Sequence, residues 1–184
     1  MGRWHRTHET LRRAAFELFS ERGYEATATA EIAKHAGVSE MTLFRHFPTK
    51  EALLLSDPFD PLMADAVRAR PEGESAMRAL IEGIRQAWRH IPPENVQEMR
   101  TLLRIVNQTP HLHGAIERNS EMTANTLIEA LHSRGVETTQ ARIATRAVLA
   151  GLSVALLEWA ESEESSLNDA LTSALHVLGG YESA

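Results

Sequence analysis

An all-α fold is what this 184-residue chain predicts, on three observations. Apolar residues recur at i, i+3, i+4 and i+7, the spacing of one helix face, in stretch after stretch. Glycine and proline fall mostly between those stretches, where helices are capped or stopped. No period-two alternation long enough for a strand interrupts them, and neither a repeat nor a low-complexity tail is present. The breaks predict about nine helices. They group as a three-helix helix-turn-helix head over residues 1–54 and a larger helical domain over residues 55–184.

Leu11, Ala14, Ala15, Leu18 and Phe19 form the first stripe, and Gly23 closes it as a left-handed C-cap. A short second helix fits residues 27–36, with Ile32, Ala33 and Ala36 inward and Gly37 as its stop. Ser39 is a favourable N-cap for a third, which Pro48 ends. Thr49 caps a fourth, whose Glu51 suits the positive end of the helix dipole. The SDPFDPL segment (56–62) breaks the pattern, and Asp60-Pro61 reads as N-cap plus first helical residue of a helix running to about residue 70. Met77, Leu80, Ile81, Ile84, Trp88 and Ile91 mark the next helix, and Pro92-Pro93 separates it from Val96, Met99, Leu102, Leu103 and Val106. After Thr109-Pro110 a long stripe runs from Leu112 to Leu131 and closes at Gly135. Thr138 or Thr139 caps a helix to about Ser162, and Ser166 with Asp169 gives a capping-box start to the last one.

Composition narrows the function. Hydrophobic residues make up 43% of the chain, enough for a core. Cysteine is absent, which excludes disulfides, thiolate catalysis and cysteine-ligated zinc. The start is polar with no apolar segment behind it, and the longest strongly apolar run, 147–157, is too short for a bilayer. A cytoplasmic protein with no membrane partner is the expectation. Net charge is −6, yet residues 1–50 hold eight Lys and Arg against six Asp and Glu, so a mildly basic head precedes an acidic body.

The stretch GVSEMTLFRHFPTKEAL (37–53) carries the functional signal. Two short helices joined by Gly37-Val38-Ser39 have the spacing of a helix-turn-helix. Ala33 is small enough for the third helix to cross close over the second, and Gly37 supplies the turn. Helices this short are unstable alone, so packing by Ile32, Val38, Leu43 and Phe47 must hold them. Leu43 and Phe47 point inward, which leaves a face centred on Met41 and Arg45 and flanked by Glu40, Thr42 and Phe44. In a major groove Arg45 can fork onto guanine, while Met41 and the Thr42 methyl suit thymine methyls. Lys50 at the next helix start suits a phosphate, and Arg3, Arg6, Arg12 and Arg13 are further candidates for phosphate or minor-groove contacts.

AAFELFSERGY (14–24) followed by EIAKHAGVSEMTLFRHFPTKEAL (31–53) resembles the DNA-binding head of the TetR family of bacterial transcriptional regulators. The resemblance covers residues of about 8–54, a quarter of the chain. It implies phosphate contacts from Thr27 and Thr29, and a DNA-lining set of Glu40, Met41, Thr42, Phe44, Arg45, His46 and Lys50. Three positions depart from the family's usual pattern. Ala30 stands where many members carry arginine, Glu40 brings a carboxylate near the groove, and Phe44 replaces a frequent tyrosine and its hydroxyl.

The resemblance also implies a body that dimerises and binds a small molecule. Residues 148–157, VLAGLSVALL, are apolar nearly all round, so the helix is expected to be buried on every side, partly by a second copy. With the final helix it would build a four-helix homodimer interface from Ala147, Ala150, Gly151, Val154, Leu171, Leu175 and Leu178. A ligand site would draw its walls from Trp88, Met99, Leu103, Val106, Met122, Leu127 and Trp159, with Arg104, Asn107 or Thr126 as polar anchors. The breaks after residue 56 are similar to those of TetR-type regulators with acyl-CoA-like ligands, which implies a long-chain acyl-CoA or another apolar or amphipathic inducer. No cofactor and no catalysis are expected. His111 and His113, with His90 or His132, do not make a metal site, because side chains at i and i+2 on a helix diverge. Glu129-Ala-Leu-His132 is a single Glu-x-x-His where di-metal bundles need two. The alternative is a helical ligand-binding or interaction protein with a non-functional helix-turn-helix, for which Ala30, Glu40 and the acidic total speak.

Overall fold

The computed structural model describes residues 2–55, 60–89 and 91–179. These hold ten α-helices, one 3₁₀ turn and no strand. In chain order the helices are α1 (Arg3–Arg22), α2 (Thr29–His35), α3 (Glu40–His46), α4 (Lys50–Leu55), α5 (Asp60–Arg68), α6 (Ala76–Trp88), α7 (Pro93–Asn107), α8 (His113–His132), α9 (Thr138–Glu161) and α10 (Leu167–Gly179). The 3₁₀ turn, Pro110–Leu112, leads into α8. The chain divides into two compact units: Met1–Ser56 with Ile105–Asn119, and Asp57–Arg104 with Ser120–Ala184. Sequence reading gave residues 105–119 wholly to the larger domain, whereas the contacts group them with the head. There Leu112 is fully buried, and His111 pairs with Glu25 at 3.2 Å.

In the first unit α1 buries the stripe its periodicity marks, Leu11 to Phe19, against α2 and α4. Gly23 ends it, its N–H donating to the Phe19 carbonyl at 2.9 Å. The α2–α3 turn needs Gly37 at φ 69°, a left-handed angle, and lets Val38 N–H reach the Ala33 carbonyl at 2.9 Å. Ser39 Oγ then accepts from Thr42 N–H at 3.2 Å and caps α3, as its position predicts. Ile32, Leu43 and Phe47 are at most 1% exposed, so tertiary packing holds α2 and α3, each only seven residues long. Thr49 Oγ1 accepts from Ala52 N–H at 3.2 Å in the same capping role for α4.

The second unit is built on α6, whose apolar face packs against α5, α9 and α10. Helices α5 and α6 cross at Gly83, where a Cβ would lie 2.7 Å from Val67 Cγ2 and 2.9 Å from its Cα. Trp88 Nε1 donates to Met63 Sδ at 3.0 Å and ties the same two helices. The final carbonyls of α9 and the turn after it are met by α7: Arg104 Nε donates to Ala160 O at 2.6 Å, and Arg100 to Ser162 O and Ser165 O at 3.0 and 3.1 Å. Arg134 in the turn after α8 donates to the Arg70 and Pro71 carbonyls, anchoring the α5–α6 loop. Helix α9, 24 residues with mean hydropathy 1.5 over its most apolar window, is long and apolar enough to cross a membrane by length and composition, contrary to the bound read from its apolar run. Its inner face instead packs on α6 and α10 through Ala141, Ala144, Thr145, Val148, Leu152 and Trp159.

Candidate DNA-binding face and effector region

Helix α3 divides into two faces. Leu43 and the following Phe47 are sealed, while Met41 is 78% and Phe44 44% exposed, and Arg45 is exposed with no hydrogen bond or ion pair among the described residues. Thr42 is half-buried, its hydroxyl 2.9 Å from Ser39 Oγ. Glu40 does not project freely. Its Oε1 accepts from the Thr29 hydroxyl at 2.6 Å, which joins the first residue of α2 to the first of α3. Beside them Ala30 is exposed and offers no polar group.

Three of the residues expected to meet DNA make contacts within the fold: Thr27 is buried, and Lys50 and His46 are half-buried. Thr27 lies before α2 and is 1% exposed, and its hydroxyl donates to Gly23 O at 2.8 Å and Leu18 O at 3.3 Å, which ties the α1–α2 connection. Lys50 Nζ donates to Tyr24 O at 2.6 Å and sits 4.2 Å from the Tyr24 ring centroid, and its burial there lowers its pKa. His46 packs on Trp4, ring centroids 4.7 Å apart, and lies 5.7 Å from His8. His8 in turn stacks on Phe47 at 4.2 Å and on Trp4 at 5.0 Å. The Nδ1 atoms of both histidines are buried without a partner among the described residues. Burial lowers the pKa of each. The His46 charge adds to the effect at His8, and the Arg45 charge at His46. This aromatic layer escaped sequence reading; the one signal for it is Trp4 four residues before His8, one helical turn. Of the four outlying arginines, Arg3 and Arg6 are exposed, whereas Arg12 is paired with Glu9 at 3.0 Å and Arg13 lies 3.9 Å from Glu17.

In the second unit a cleft of about 260 Å³ opens between α6, the start of α7 and α10. Ile84, Trp88, Val96, Leu171 and Leu175 form its apolar walls and Arg85 part of its polar rim. Of the expected ligand residues only Trp88 lines it. Leu127 is fully buried and Met99 and Leu103 pack against the same core. Trp159 is 2% exposed with the Arg100 guanidinium 4.5 Å from its ring. Arg104 is not a free anchor, because it caps α9. Thr126 donates to Met122 O at 3.1 Å, Met122 itself is 67% exposed, and Asn107 belongs to the first unit.

The expected homodimer set also separates. Leu171 and Leu175 point into the core, and Gly151 makes room for Leu178 of the same chain: a Cβ there would lie 2.9 Å from Leu178 Cδ1. Ala147, Ala150 and Val154 remain outward, joined by Ile143, which is 65% exposed where Val154 is 58%. They fall at i, i+4, i+7 and i+11 on α9, a continuous apolar stripe, so this helix is not buried on every side within one chain. Among the described residues no three potential metal ligands come together, and His90 and residues 56–59 of the proline hinge lie outside the described residues.

Residues 11–56 match the description "Bacterial regulatory proteins, tetR family", and residues 74–181, more than half of the chain, match "MftR C-terminal domain". TcmR, an HTH-type transcriptional regulator of Streptomyces glaucescens, is 30% identical over 136 residues, which span 70% of this chain and 60% of TcmR. MftR of Mycobacterium tuberculosis is 27% identical over 173 residues, covering 90% of this chain and 85% of MftR. Among solved structures, FadR of Thermus thermophilus, a TetR-family repressor in complex with lauroyl-CoA, superposes with a TM-score of 0.58 and 25% identity over 96% of each chain. TcmR and FadR are described as regulators and not as enzymes. By the match to both of its parts, the chain belongs to the TetR family of bacterial transcriptional regulators.

Proposed function

We propose that the protein is a ligand-responsive repressor that binds double-stranded DNA as a homodimer, with α3 of each copy in the major groove of a pseudo-palindromic site. One observation carries the reading: α3 is sealed on one face by Leu43 and exposes Met41, Phe44 and Arg45 on the other. Half-site centres then lie one DNA turn, about 34–36 Å, or a multiple of it apart. The first unit reads DNA, and the second carries the effector and the partner copy. The outward stripe Ile143, Ala147, Ala150 and Val154 supports self-association, because exposed apolar helix faces of this kind mark protein interfaces.

The effector is an apolar or amphipathic small molecule, a long-chain acyl-CoA by analogy with the lauroyl-CoA of the Thermus relative. It acts by binding better to the arrangement of heads that fits DNA poorly, and its effect is limited to that difference in affinity. Fluorescence anisotropy on duplex DNA from the protein's own upstream region, against a scrambled duplex at about 0.15 M salt, tests the reading, since salt sets the non-specific background. Selective binding that acyl-CoA reverses is expected. Equal weak binding to both duplexes, repeated in a random-sequence selection, would overturn it.

A further inference from the structure

Resting on the DNA-binding reading, we infer that Glu40 is a selectivity residue whose carboxylate, held by Thr29, demands a cytosine at one position of each half-site. The geometry is specific. Oε1 accepts from the Thr29 hydroxyl at 2.6 Å, which holds the carboxylate at the start of α3, while Oε2 has no hydrogen bond among the described residues. Glu40 is exposed and makes no ion pair among the described residues, so its charge meets whatever docks on this face. Met41 beside it, 78% exposed, supplies no hydrogen-bonding group of comparable strength, and the exposed Ala30 supplies none from α2.

An ionised carboxylate can only accept. In the major groove the exocyclic amines of cytosine and adenine donate, while guanine O6 and N7 and thymine O4 accept. Adenine places the N7 acceptor next to its amine and suits an amide that both donates and accepts; cytosine presents the amine alone and suits a carboxylate. A carboxylate beside the phosphate backbone also weakens binding to every sequence that does not satisfy it. Specificity here therefore comes partly from repulsion of wrong sites. Thr29 acts as a positioning residue, because a loose glutamate side chain would swing away from the groove and lose the discrimination.

The test is selection from a random duplex library, followed by anisotropy on the winning site and on scrambled DNA, with wild type, Glu40→Gln and Thr29→Val. Wild type is expected to fix cytosine at one symmetric position. Glu40→Gln is expected to move that position toward adenine and to tighten binding to scrambled DNA severalfold. Thr29→Val is expected to blunt the cytosine preference by about tenfold, within the range a single base contact provides. Enrichment of the same site, base for base, by wild type and Glu40→Gln would overturn the inference and leave the DNA-binding reading standing. Failure of wild type to enrich any sequence would overturn both.

Discussion

At the scale of the residue, the head separates side chains left exposed on α3 from those that hold the fold. Arg45 is exposed and has no ion pair among the described residues, so Arg45→Ala is expected to cost about 1–3 kcal/mol of binding and relax preference at one base pair in a competition assay. Lys50 is engaged at Tyr24 O, so Lys50→Met should lower stability by about 1.5–3 kcal/mol, the worth of a charged hydrogen bond, and leave the salt dependence of DNA binding unchanged. A flattened salt slope would show instead that Lys50 leaves Tyr24 to meet phosphate. His8 and His46 add a pH dependence whose sign follows from their burial. Both are held below the ordinary 6.5 by burial, so between 6.5 and their folded values the unfolded chain binds more protons. Stability is undiminished above pH 6.5 and falls on acidification below it, and urea unfolding at pH 7.5 and 5.5 reads the difference. His8→Phe should flatten that dependence, since it removes one titrating group and its repulsion with the other.

At the scale of the element, two contacts decide whether helices dock. The α5–α6 crossing has no space for a methyl group at Gly83, where the obstacle is the Val67 backbone, so Gly83→Ala is expected to destabilise by about 1–3 kcal/mol despite its better helix propensity. Circular dichroism melts check this. Gly151 is the milder case, because the atoms crowding a Cβ there belong to the flexible end of Leu178. Helix α3, seven residues long, depends on Ser39 at its start and on the burial of Leu43 behind it.

At the scale of the whole molecule, the stripe on α9 is a continuous apolar face left exposed in a single chain. Val154→Glu together with Ala150→Glu places charge on that stripe without touching the core, since both positions are exposed. Sedimentation is expected to shift from dimer to monomer at micromolar concentration, with loss of operator binding. A variant that stays dimeric would move the interface elsewhere.

Much of this was legible in the sequence because it is local. Apolar spacing, Gly23 and Gly37, and the caps at Ser39, Thr49 and Ser166 specify helices through neighbours within a turn or two, and the helix-turn-helix is itself one contiguous stretch. What tertiary structure alone decided is where each polar or apolar side chain turns when several directions are open. Lys50 met a carbonyl twenty-six positions earlier, Glu40 met Thr29, Arg104 met the end of α9, and His46 found a place beneath Trp4. Periodicity marks a helix's apolar face but not which neighbour covers it. Leu171 and Leu175 therefore went to the chain's own core while Ile143 and Val154 stayed outside. Helix formation is set along the chain; partner choice is set by packing across it, which one-dimensional spacing does not record.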